Sequence, residues 1–126
     1  MDPAVRDLLV SAAPETLRSL LAPSVTFHSP VADYRGRDDV AHLLATIGRC
    51  LSDLEPAAQW ATERRRLDEF TAHVGDRPVS GVLIRRVGPG GLIEEATLLL
   101  RPLAVLQDAV AFMRDALRDD PLPSLR

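Results

Sequence analysis

The chain has no lysine and only one cysteine, Cys50. A lone thiol rules out an internal disulfide and a cysteine-based metal cluster. Every fixed positive side chain is one of fifteen arginines. That bias reads as the coding habit of a GC-rich bacterial genome and carries no function. Arginine alone can imitate nucleic-acid binding. The formal net charge of -3 and the lack of a basic face with interleaved aromatics argue against it. Aromatic residues make up 4% of the chain, so aliphatic side chains must build the core. No His-x-His or His-Glu-x-x-His spacing occurs, and Gly88 to Gly91 joins strands instead of opening a helix. Neither a metal nor a cofactor is expected. No apolar run reaches the length of a membrane span, and Met1 to Leu9 carries acids and lacks a long apolar stretch. No signal peptide and no membrane partner are expected, and the cytoplasm is the expected compartment.

What remains is an average globular composition, 46% apolar and 26% charged over 126 residues. One domain over residues 1–118 is expected, with residues 119–126 as a frayed tail carrying Pro121 and Pro123. Pro3 to Ala12 reads as a short helix. Pro14 opens a second, with Leu17, Leu20 and Leu21 as its stripe and Pro23 as its stop. Val25 to Ser29 alternates as a strand, and Val31 to Gly36 reads as a loop. Asp38 and Asp39 start the next helix, where acids meet the positive end of the dipole. Val40, Leu43, Leu44, Ile47 and Leu51 form its buried stripe. His42, Thr46 and Arg49 fall on the wet side, and Pro56 marks the end. From Ala57 the period becomes two. Strands are expected around Trp60, over Leu67 to Val74, over Val79 to Val87 and over Leu92 to Arg101, with Gly88-Pro89-Gly90-Gly91 as the strongest turn. After Pro102 a last helix presents Leu106, Val110, Met113 and Leu117, widened by Val105, Ala109 and Phe112. Helices followed by bunched strands mean an α+β fold, a curved antiparallel sheet wrapped around helices. The result is a cone with an internal pocket between the layers, plus a C-terminal helix.

The run Val25-Thr-Phe-His-Ser-Pro-Val, then Tyr34-Arg-Gly and a helix, resembles the nuclear transport factor 2-like superfamily. So does the ending Gly91-Leu-Ile-Glu-Glu-Ala-Thr-Leu-Leu-Leu-Arg-Pro-Leu. SnoaL-like cyclases and ketosteroid isomerases belong to that superfamily, and the resemblance covers roughly Thr16 to Leu117. It implies the cone fold and a homodimer, and it leaves the chemistry open. In the isomerases a general-base aspartate stands before a Pro-Val pair; that position here is Ser29. Their oxyanion-hole aspartate falls on Leu83. With both acids missing, the resemblance argues against isomerase chemistry of that type.

The candidate residues each admit two readings. Glu94 shares the register of Ala96, Leu98 and Leu100 through the resemblance, which points it into the pocket as an acid or base. The structural alternative pairs it with Arg85, Arg86 or Arg101. His28 can shuttle a proton or merely make an edge hydrogen bond. Ser29 can orient a ligand or satisfy backbone, and Tyr34 can donate to an oxyanion or pack on the rim. Phe27, Ile47, Trp60, Phe70, Ala72, Leu83, Ala96, Leu98 and Leu100 are the expected pocket wall. The outer sheet face, with Val82, Ile84, Thr97 and Leu99, is too apolar for full exposure; either the last helix covers part of it or it is the expected homodimer surface. Two functions follow. One is a cofactor-free cyclase, isomerase or hydrolase acting on an apolar or polyketide-like molecule. The other is a non-catalytic module that binds an apolar ligand or a protein partner.

Overall fold

The structure is a computed structural model that describes residues 8–10 and 13–126. The expected first helix, Pro3 to Ala12, lies largely outside the described residues; within it, Leu8 and Leu9 are buried. Helix α1 (Pro14–Arg18) starts at the proline and is much shorter than its leucine stripe suggests. Leu17 is its only buried residue. Leu21 already opens strand β1 (Leu21–His28), so Pro23 lies inside a strand and ends no helix. The β1 register slips between Leu21 and Thr26, and Pro23 sits in that irregular stretch, where its missing N–H interrupts no ladder.

Strand β2 (Asp33–Arg35) occupies the expected loop and pairs back onto β1, with Tyr34 opposite Phe27. Gly36 follows at φ 91°, a left-handed conformation that glycine adopts at no steric cost, and caps helix α2 (Arg37–Cys50). Asp38 and Asp39 fill the first turn of α2. Leu51, expected in that helix, instead begins strand β3 (Leu51–Ala61). Strands β4 (Arg65–Val74), β5 (Arg77–Val87) and β6 (Ile93–Arg101) follow, then helix α3 (Leu103–Asp119) and a single 3-10 turn (Pro123–Leu125).

Among the described residues the six strands form one curved, open sheet in the order β2-β1-β6-β5-β4-β3. All neighbours are antiparallel except β1 and β6, which run parallel. The sheet is therefore mixed. The long chain between β1 and β6 supplies the crossover that a parallel pair requires. Pro56 is tolerated in β3 because β3 is an edge strand and bonds to β4 alone.

The register aligns Phe27 with Ala96, Leu98 with Leu83, and Leu100 with Gly81 and Phe70. These residues make the concave face, and all but Leu100 are buried beneath the helices. A Cβ at Gly81 would run into the Phe70 ring, so the glycine makes room for the aromatic. The same face carries the ion pair Asp68–Arg85 at 3.0 Å, each side chain 2% exposed. Charges removed from water to that degree are kept only when paired.

The chain end is docked, contrary to the expected fraying. His42 Nε2 donates to the Asp120 carbonyl at 2.8 Å, the Ser124 backbone N–H donates to Asp39 Oδ1 at 3.0 Å, and Leu122 is buried. That docking explains a second departure, the burial of His42, expected on the wet side of α2; Thr46, expected there too, is also buried and donates to the His42 carbonyl at 2.9 Å.

Candidate functional site

A cavity of about 210 Å³ opens between α2, α3, β6 and the β1–β2 turn. Helix α2 contributes Leu43, Ile47 and Cys50 to its wall, and Leu51 continues it. Strand β6 contributes Leu98 and Leu100, two residues apart on one face. Helix α3 lays Leu106, Ala109, Val110, Met113 and Leu117 along the opposite side. These follow helical spacing and read in the sequence as an ordinary core stripe. Only Val105 and Ala109 of α3 are buried, because most of that stripe faces the cavity. The wall contributions of Cys50, Pro30, Val31 and Arg114 were not legible in the sequence.

Few polar groups reach this space. Ser29 and Tyr34, both expected at the site, line it at the β1–β2 turn. The Ser29 hydroxyl is occupied. It donates to the Ala32 carbonyl at 2.9 Å and accepts from the N–H groups of Val31 (3.2 Å) and Ala32 (3.0 Å). A hydroxyl serving the turn in three hydrogen bonds, with no base beside it, is not an activated nucleophile. Burial pushes the Cys50 thiol up to about 11, so it stays protonated and inert at neutral pH. Arg114 is the sole charged side chain in the wall among the described residues.

Ile47, Leu98 and Leu100 line the cavity as expected. Phe27, Phe70, Ala72, Leu83 and Ala96 do not; they are packed solid on the concave face, where helices fill the space. Trp60 is a correction of a different kind. It is 54% exposed and pairs with Leu67 on the convex face. The register slips by one residue between Pro56 and Gln59, and this bulge turns Trp60 over. Phe112, expected to widen the apolar stripe of the last helix, is 40% exposed.

Glu94 is displaced by the same device. The register shifts between Arg86, opposite Glu95, and Val87, opposite Ile93, which leaves Glu94 as the extra residue of a bulge. Its carboxylate leans over Gly88, accepts from Arg86 Nη1 at 2.6 Å and lies 3.6 Å from Arg64 Nη2. It is not in the cavity wall. His28 is also outside it, on the convex side. Its Nδ1 lies 2.7 Å from Asp33 Oδ1 and its Nε2 3.5 Å from Glu95 Oε2. The hydrogen bond to Asp33, aided by Glu95, raises the imidazole above its ordinary value of 6.5. Among the described residues, no three His, Cys, Asp or Glu side chains group to hold a metal, and no helix is long and apolar enough to cross a membrane.

No family model and no curated protein matches the chain. Solved structures do. A bacterial protein with a cystatin-like fold from Silicibacter pomeroyi DSS-3 superposes with a TM-score of 0.85 at 26% identity, covering 95% of this chain and 89% of that one. A steroid delta-isomerase from Pseudomonas aeruginosa superposes with a TM-score of 0.80 at 30% identity, covering 84% and 80%. An NTF2-like protein from Mesorhizobium loti gives 0.63 at 22% identity, covering 71% and 78%.

Proposed function

This chain belongs to the nuclear transport factor 2-like superfamily, and on that premise we propose that its cavity binds a small apolar molecule without transforming it. One observation carries the reading: among the described residues, neither a carboxylate nor a histidine lines the cavity. Acid–base catalysis needs a proton carrier within hydrogen-bond reach of the substrate. Glu94 and His28 are engaged elsewhere, and Ser29 is engaged in its turn. The likeness to a steroid delta-isomerase favours a cofactor-free enzyme, an isomerase, cyclase or hydrolase, as the competing reading. Of the expected catalytic residues only Tyr34 supports that reading, because its hydroxyl-bearing ring lines the space.

The test is a thermal-shift screen with small apolar molecules. A ligand at a hundred times its Kd should stabilise the fold by about 2.7 kcal/mol, roughly 10 °C in Tm. Filling the space with Val110→Trp should abolish the shift. A shift that survives the substitution, or catalytic turnover of a bound ligand, overturns the proposal.

We propose in addition that two copies pair through the convex sheet face. Trp60, Leu67, Ile84 and Thr97 lie in one register row across four strands, and Leu99 beside them is 52% exposed. The lone, buried cysteine suits a reducing cytoplasm as its place of action.

A further inference from the structure

We infer that the ligand of this cavity is a short-chain amphiphile, an unbranched or lightly branched acyl chain ending in one carboxylate, with Arg114 as the anchor of its head. The inference rests on the binding reading above and narrows it to a chemical class. Three observations carry it.

The first is size. About 210 Å³ is below the roughly 300–1,000 Å³ typical of sites for drug-sized molecules. A chain of several carbons fits such a space, and a four-ring skeleton does not.

The second is the wall. Leu43, Ile47, Leu98, Leu106 and Val110 present only methyl and methylene groups. Away from Tyr34 at the β1–β2 turn, a polar group along the ligand would lose its water there and gain no hydrogen bond, which costs roughly 1–3 kcal/mol. The enclosed part of the ligand is therefore bare hydrocarbon.

The third is charge. The chain as a whole carries -3, yet the sole charge in this wall among the described residues is the guanidinium of Arg114. Arg114 lies one turn beyond Val110 and directly after Met113, so its methylene stem can follow the apolar wall while its head stays in water. It is exposed and has no ion-pair partner among the described residues. The adjacent Asp115 does not neutralise it, because that carboxylate is held by Arg118 at 3.2 Å. A planar guanidinium at the edge of an apolar cavity matches a carboxylate in both charge and geometry.

Isothermal titration of the full chain with octanoate and with 1-octanol separates head from tail. Octanoate should bind about three- to fivefold more tightly at low salt, the scale of an exposed ion pair, and 1 M salt should reduce that preference. Within Arg114→Gln, octanoate should bind no more tightly than octanol. Equal binding of the two in the wild type, or a preference that persists in Arg114→Gln, overturns the anchor while the apolar cavity stands. If neither binds but a compact apolar molecule does, in a manner lost in Val110→Trp, the acyl chain is overturned and the binding reading survives. No binding by any apolar probe removes both.

Discussion

His28 sits at the end of β1 between Asp33 and Glu95, its Nδ1 hydrogen-bonded to the nearer of them. The pairing makes the imidazole harder to deprotonate in the folded chain than in the unfolded one, where its value is near 6.5. The sign of the linkage follows. The stability this group contributes is fully present below about pH 6.5 and is lost as pH rises through the higher folded value. Urea unfolding across that window should show stability falling with pH, and His28→Gln should flatten the fall. Unchanged pH dependence in the variant would assign the effect to other groups. Ser29 illustrates the opposite lesson at this scale. It occupies a position that the family resemblance links to a catalytic acid, yet its hydrogen bonds hold a four-residue turn together.

Elements decide matters that single residues do not. Register shifts in β3, the second of them between Pro56 and Gln59, and one at the start of β6 each insert a residue and reverse the alternation beyond it. Trp60 was expected in the pocket wall and Glu94 was pointed into the pocket by the family resemblance, and both lie outside it for this reason. The C-terminal segment is equally consequential. Two prolines within three residues made it look unstructured, yet Leu122 is buried and Asp39 and His42 on α2 hold the segment in place. Leu122→Ala should destabilise the fold by about 2 kcal/mol, the low end for a buried leucine, read as a lowered denaturation midpoint. An effect under about 0.5 kcal/mol would mean that the tail rests on the domain without supporting it.

At the scale of the molecule, helix α3 covers the concave side of the sheet, and among the described residues no helix lies on the convex side. The cavity lies on one face and the exposed apolar row on the other, so pairing through the row would leave the cavity mouth free. Light scattering at micromolar concentration should report a dimer, and Leu99→Glu should convert it to a folded monomer, since a buried unpaired charge in each copy is costly. A wild-type monomer would remove the pairing proposal and leave the cavity untouched.

Periodicity was enough to establish the α+β class and the three strands expected over Leu67 to Val74, Val79 to Val87 and Leu92 to Arg101. Those features are local: alternation, helical repeats and turn residues act over a few positions and are legible wherever the ladder is regular. The tertiary structure alone decided which polar residues meet the cavity. Pro56 and Gly88 lie beside these shifts, but the residue that is inserted is defined only by the partner strand's register. The burial of His42 depends on a segment 78 residues away, and Arg114 joins the wall only because α3 folds back over β6. An apolar pocket between the layers was an expectation of the sequence, while the absence of any carboxylate or histidine from this cavity's wall, among the described residues, is a consequence of register and docking.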